Sequence, residues 1–331
     1  MHINGLNLRR LISCIILLCL LPLASSAAES NENDSLGFEV KGKSVSYSEK
    51  YNRYVNNYTR YPASRADDVI AMFNRAFDAM ESPVPVYLYF VESSRSHPMT
   101  VEFDETSDFY RHLCDELHVD GHDHLKFSTF EQFCEYFYST DHHWNHRGSY
   151  QGYVDIVHML LGEDEEVLVP EEEVTLPVIF NGSLAKNQKR SVSTEHFSLY
   201  RFSNLQPYTC YANGRRRKYD NVQLYLEGRC SDDKFANHYQ LCYGGEFALA
   251  VFETGLTDKP NLLMFSDSMG AGVKYLLASH FNRIVCVDLR YYREEFKRSL
   301  SLREVVKEYD IDMILLLGEC QFFVDAKNLI P

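Results

Sequence analysis

From Asn261 onward the chain alternates buried apolar runs with amphipathic stretches, and that alternation leaves few folds open. Asn261 to Phe265 reads as a strand, Ala271 to His280 as a helix with Val273, Leu276 and Leu277 inward, and Arg283 to Leu289 as a second strand. Leu302 to Tyr309 then reads as a helix and Met313 to Leu317 as a third strand. Strands apolar along their whole length, with no polar alternation, are covered on both faces, as in parallel sheets. Strand–helix–strand units with right-handed crossovers build a doubly wound layer. The same grammar appears earlier. Val69, Ile70, Met72, Phe73, Ala76, Phe77 and Met80 follow Asp67-Asp68 at helical spacing, Ser82-Pro83 closes the helix, and Val84 to Val91 is a buried strand.

In such a sheet the chemistry gathers outside the carboxyl ends of the strands. Three groups fall there: Ser266-Asp267-Ser268-Met269-Gly270, Arg290-Tyr291-Tyr292 and Glu319, with Glu92 and Ser93 ending the earlier strand. A serine on a sharp turn between strand and helix has its hydroxyl held up from the sheet, and amides at the helix start can receive an oxyanion. Ser268 is the candidate nucleophile on this reading, with the amides of Ser268 and Met269 as oxyanion donors. An ordinary turn and helix cap is the other reading of the same residues.

A serine nucleophile needs a base and an orienting acid. The stretch Phe137 to Ser149 holds three histidines and the chain's only tryptophan. Asp141 and His143 are two apart, so in extended backbone they share a side, with His142 and Trp144 on the other. Asp141 is the candidate acid and His143 the candidate base. Trp144, Tyr291 and Tyr292 suit a sugar-binding platform with Arg290 beside them, and each aromatic ring is equally at home in a core.

Thr140-Asp141-His142-His143-Trp144, the following Gly148-Ser149-Tyr150, Leu262 to Ser268 and Val287 to Tyr292 together resemble the DHHW proteins. These are SGNH-hydrolase-like and similar to the alginate O-acetyltransferase group. The resemblance runs over roughly residues 50 to 325. It implies an SGNH-hydrolase-like, flavodoxin-like α/β fold with a parallel sheet, flanking helices and a triad in the order Asp141, His143, Ser268. It also implies an O-acetyltransferase or acetylesterase that needs no cofactor and no metal. The substrate would be a carbohydrate or acyl-sugar, and the acyl donor a protein or a small-molecule ester. The chain departs from the family pattern at Ser139, Asn145, Ser266 and the Met269-Gly270-Ala271-Gly272 run. Those departures motivate a rival reading, a catalytically silent carbohydrate-binding or cell-surface protein on the same fold.

Residues 1–27 read as a signal peptide: Arg9-Arg10, an apolar core from Leu11 to Leu21, Pro22, then small residues up to Ala28. The protein is therefore expected to be secreted, periplasmic or cell-surface. Residues 28–48 read as a flexible leader and 49–331 as the α/β domain. Residues 174–260 are a hairpin-rich insertion marked by Asn181-Gly182, Asn213-Gly214 and Gly244-Gly245. A net charge of −14 argues against nucleic acid as a partner. Of seven cysteines beyond the signal, Cys210, Cys230 and Cys242 lie in turn-rich sequence suited to disulfides, while Cys286 sits in a core run. His118, His122 and His124 share a polar turn. With His142 they make a third reading, a metal-dependent hydrolase, against the alternative of an exposed loop.

Overall fold

The structure is a computed structural model and describes residues 36–41, 43–58, 63–104, 106–188, 195–217, 233 and 236–331. The expected signal segment, Cys230 and the apolar run Val222 to Leu226 lie outside these residues. Three antiparallel strands come first: β1 (Phe38–Val40), β2 (Val45–Ser48) and β3 (Arg53–Asn56). Helix α1 (Asp67–Asp78), strand β4 (Val86–Phe90), helix α2 (Asp108–Glu116) and strand β5 (Gly121–His124) follow. Helices α3 (Phe130–Tyr136) and α4 (His146–Leu161) flank the Asp-His-His-Trp stretch. The hairpin-rich region holds β6 (Glu172–Ile179), β7 (His196–Arg201), β8 (Thr209–Ala212), β9 (Arg215–Arg216) and β10 (Leu249–Glu253). The final part runs β11 (Asn261–Ser266), β12 (Arg283–Val287), α5 (Leu289–Phe296), β13 (Leu300–Ser301), α6 (Leu302–Tyr309), β14 (Met313–Gly318) and β15 (Leu329–Ile330).

The main sheet has eight strands in the order β5-β4-β14-β11-β12-β10-β8-β9. The first five are parallel, as the unbroken apolar runs of β4, β11, β12 and β14 predict, and the last three turn antiparallel. Successive side chains of β11 enter opposite cores. Leu262 and Met264 join the layer under α4, where Tyr153, Ile156 and Val157 are buried. Leu263 and Phe265 join the layer under α1, where Phe73 meets Phe265 edge-on at 5.7 Å. Burial on both faces is why this strand could be read as continuous hydrophobics. Among the described residues no helix is long and apolar enough to cross a membrane.

Three expectations are corrected. Residues 38–48 are not leader: Val45, Ser46, Tyr47 and Ser48 are all buried. The next strand of that small sheet grips the Asp-His-His-Trp approach. Tyr54 donates its amide to Ser139 O at 2.7 Å, and the buried Arg53 guanidinium donates to the carbonyls of Cys134, Phe137 and Tyr138 at 2.9–3.0 Å. The helix expected from Ala271 to His280 is broken into a 3-10 turn, Ser268–Gly272, and one helical turn, Lys274–Leu277. Gly270 and Gly272, poor helix formers, both fall in the 3-10 turn. Third, the polar turn at 118–124 ends as edge strand β5, paired with β4 through Gly121 to His124.

Candidate functional site

Strand β11 delivers the turn that carries Ser268, the candidate nucleophile. Asp267 caps it, its Oδ1 accepting the Met269 amide at 2.9 Å, and the Gly270 amide donates to Asp267 O at 3.2 Å. The glycines are there for space. A Cβ on Gly270 would stand 2.3 Å from Ser266 Oγ, and one on Gly272 2.8 Å from Ser149 Cβ. Ser268 is held only 7% exposed and lines a small cavity of about 30 Å³ together with Ala271 and Lys274. Burial and the nearby Glu319 push the Asp267 carboxyl up to about 7.

The acid–base segment is a tight loop, not the extended strand that the spacing suggested. Phe137 and Trp144 pair across it as an isolated bridge. Asp141 and His143 still meet because the loop folds back on the aspartate. Asp141 Oδ1 accepts both the His143 amide, at 3.0 Å, and His143 Nδ1. The other imidazole nitrogen, Nε2, lies 2.7 Å from Ser268 Oγ, 125 residues away in sequence. Asp141 Oδ2 accepts the amide of Ser183. Burial opposes its ionisation, but His143, His142 and that amide together hold the carboxyl well below the usual carboxylate range. His142 packs its ring 3.9 Å from His143 and shares a 2.7 Å hydrogen bond with Ser183 Oγ. Burial, with His143 beside it, lowers its pKa to about 3, so it is a neutral ring at physiological pH.

Several residues that shape this site carried no signal in the sequence. Glu195 accepts the Ser139 amide at 2.5 Å, the Thr140 amide at 2.9 Å and the Thr140 hydroxyl. A Cβ on Gly182 would stand 2.2 Å from Asp141 Cβ, so only glycine lets the chain pass. Asn181-Gly182, one of the expected turn signals, lies in the connection between the paired strands β6 and β7. It leads into a short helix, Ser183–Asn187, whose first amide binds Asp141.

The other expected site residues divide. Trp144 is fully buried and cannot face a sugar; its indole N–H donates to Met269 O at 3.1 Å, tying the loop to the nucleophile turn. Tyr292 is 3% exposed and packs on Phe296 in the core. Both are corrected from substrate platform to core, their large apolar rings being placed where the sheet buries them. Tyr291 is 40% exposed, bonded to Glu246 at 3.2 Å, and lines an open cleft of about 370 Å³ with Phe247 and Gln240. Arg290 is locked on Asp288, Nη2 to Oδ2 at 2.6 Å, in the first turn of α5. The Met269 amide is engaged by Asp267 in this state, which leaves the Ser268 amide as the donor of the expected oxyanion pair.

The histidines of the metal reading do not converge. His118 pairs with Asp78 and His122 with Tyr110, while His124 lies against the Tyr110 ring. Among the described residues, Asp141, His142 and His143 do offer three ligand atoms within 4.8 Å, but those residues are occupied with one another, Ser183 and Ser268. Cys210, an expected disulfide partner, is an unpaired buried thiol on β8.

A mostly parallel sheet that presents a serine at a central strand exit, within hydrogen-bond reach of a histidine from a separate loop, makes an SGNH-hydrolase-like α/β fold, with β14 lying between β4 and β11 where the flavodoxin-like order would place β11 directly beside β4. Solved structures match it over most of their length. A DHHW family protein from Eubacterium siraeum superposes with a TM-score of 0.64 at 18% identity, over 86% of this chain and 92% of the other. PatB1 of Bacillus cereus, solved with a sulfonyl adduct, gives 0.63 at 16% identity over 86% and 97%. A second structure of PatB1 gives 0.61 at 16% identity over 82% and 94%. At such identities the likeness is one of fold, and it is the fold that the DHHW resemblance implied. No protein-family model and no curated protein matches the sequence.

Proposed function

We propose that the protein is an exported serine acyl-ester enzyme, an O-acetyltransferase or acetylesterase acting on a cell-surface or extracellular carbohydrate. The observation that supports this most is the continuous hydrogen-bond line from Asp141 through His143 to Ser268 Oγ. On this reading His143 Nε2 takes the Ser268 proton as Oγ attacks the ester carbonyl. Asp141 keeps the Nδ1–H tautomer and stabilises the imidazolium. The Ser268 amide receives the oxyanion. His143 then returns the proton to the departing alkoxide, leaving acyl-serine. An incoming sugar hydroxyl or water gives its proton to His143 as it takes the acyl group, and His143 passes that proton to the departing Ser268 Oγ, restoring the hydroxyl. The cleft beside Tyr291 is the natural place for a polar acceptor, since it shares Glu246 and Phe247 with the cavity at Ser268.

A silent binding protein is the second reading. It draws on the Met269 amide, which is turned to Asp267 rather than left for an oxyanion. Hydrolysis of a small aryl acetate separates the two. Activity in the purified protein that Ser268→Ala and His143→Ala each reduce by at least ~10³-fold, with circular dichroism unchanged, is the expected result. Equal rates in all three proteins, together with undiminished glycan binding by Ser268→Ala, would replace the enzyme reading with the silent one.

A further inference from the structure

Tyr239 sits in a short helix, His238–Cys242, just beyond one of the undescribed stretches. Nothing in its sequence surroundings marks it. Its ring lies 3.9 Å from the His143 imidazole with only 10° between the planes, and its hydroxyl donates to Ser268 O at 2.9 Å. One side chain therefore touches both the base and the backbone of the nucleophile. It is 3% exposed and braced by Tyr138 and Tyr243, whose rings meet it edge-on at 6.4 and 4.9 Å. Burial first, and then Tyr243 and Asp141, raise its pKa well above the ordinary phenol value, so the hydroxyl stays a donor.

We propose that Tyr239 is the positioning residue of this site. It fixes the plane of the His143 ring so that Nε2 stays aimed at Ser268 Oγ, and it pins the peptide from which that hydroxyl projects. Three features of the site make such a brace necessary. The base stands on a loop rather than on a strand or helix. Asp141 restrains the imidazole only at its Nδ1 edge, and the His142 ring 3.9 Å away meets it tilted by 36° rather than flat. The nucleophile is in a 3-10 turn, where hydrogen-bond geometry is poorer than in a helix. A flat aromatic face against the imidazole stops the out-of-plane rotation, and it also lies where a π-face favours the cation that His143 becomes on taking a proton. The inference rests on the proposed triad, and it assigns a separate task to a residue outside it.

The test uses the full protein with Tyr239→Phe, Tyr239→Leu and Tyr239→Met. Phenylalanine keeps the stacked face and loses only the bond to Ser268 O; the aliphatic pair loses both. Two readouts are needed. The first is aryl acetate hydrolysis, where kcat is expected to fall about 3-fold in the phenylalanine variant and about 30-fold or more in the others, with KM changed less than about 2-fold. The second is independent of turnover: the His143 Nδ1 proton by NMR, assigned through its loss in His143→Gln. That resonance should persist in Tyr239→Phe and be lost to exchange in Tyr239→Leu and Tyr239→Met. If an aliphatic variant keeps the resonance and the parent rate, the positioning role is wrong. If all three variants lose kcat equally, the ring is not what matters and the proposal also fails. Should the parent itself prove inactive, the enzyme reading falls, while the NMR comparison still decides whether Tyr239 holds the ring. Should Tyr239→Leu fail to fold, Tyr239→Met against Tyr239→Phe carries the same contrast.

Discussion

Ser268 and His143 stand 2.7 Å apart, yet the two segments that deliver them are held in different ways. The nucleophile turn leaves a central parallel strand paired on both sides, with β12 and β14. Backbone ladders fix it, and the residues that matter around it are small ones that permit close packing. The acid–base loop has one isolated bridge and a few scattered backbone bonds, Tyr54 N–H to Ser139 O and the Leu184 and Ala185 amides to Thr140 O among them, and beyond these depends on side chains: Arg53 on three carbonyls, Glu195 on two amides and a hydroxyl, Asp141 on the Ser183 amide beside Gly182. A ladder is cooperative and tolerates single side-chain changes. A side-chain network fails where one member is removed, because its buried partners are then left unsatisfied. The triad should therefore break more easily from the base side than from the nucleophile side.

The sharpest way to break that contrast is Gly182→Ala. The added methyl cannot coexist with Asp141 where it stands, since the nearest atoms would be 2.2–2.7 Å away. Either the acid or the helix at Ser183 must move. A displacement near 1 Å in a catalytic group can cost on the order of 100-fold, and a loss of kcat of about that size is expected without loss of the fold. Measured kcat within about 2-fold of the parent would mean that the loop yields without moving its carboxylate.

Glu195→Ala should come next. It strands the amides of Ser139 and Thr140 in a part-buried place, at roughly 1–3 kcal/mol for each donor left unpaired. Denaturant unfolding should show a loss of about 2–4 kcal/mol, and kcat should fall by about 10-fold as the loop loosens. Glu195→Gln keeps an acceptor and should recover part of both. Equal stability in parent and alanine variant would show that water replaces the carboxylate and that the loop is held elsewhere.

The same difference explains what was legible beforehand. The strands around Ser268 announce themselves, since burial on both faces leaves unbroken runs such as Leu262 to Phe265 and Met313 to Leu317. Their ends then point to the turn. Asp141 and His143 were legible through spacing, although the backbone reason was a folded loop rather than a strand. Arg53, Gly182, Glu195 and Tyr239 were not legible. Each acts at long sequence separation, and a lone arginine, glycine, glutamate or tyrosine has no period to give it away. Arg53 was nearest to being lost altogether, because the polar residues before it read as leader. Trp144 misled for the opposite reason: an aromatic next to a catalytic motif looks like a binding platform, while its burial depends on Gly148, Gly152 and Gly272 making room. The antiparallel turn of the sheet at β10 was also hidden, since its run Leu249 to Phe252 is as apolar as those of the parallel strands.

The two segments differ finally in the sign of their pH dependence, through one aspartate each. Asp141 is held below the ordinary carboxylate range. Its contribution to stability is present above the unfolded pKa of about 4 and is lost as pH falls below it. Asp267 is pushed up to about 7. Between about pH 4 and 7 the folded state holds a proton there that the unfolded chain has released, so its contribution is present at low pH and fades as pH rises through 7. A shift of about three units bounds that change at about 4 kcal/mol. Asp267→Asn keeps an oxygen for the Met269 amide and removes the titration. Its Tm should match the parent below about pH 4 and exceed it by several degrees at pH 8, the gap opening between about pH 4 and 7 and staying constant above that. A gap that is constant with pH would mean that Asp267 is ionised throughout and that its neighbours Arg290 and the Met269 amide outweigh burial and Glu319. The nucleophile turn would then be held by charge as much as by its ladder, and the contrast with the base loop would narrow.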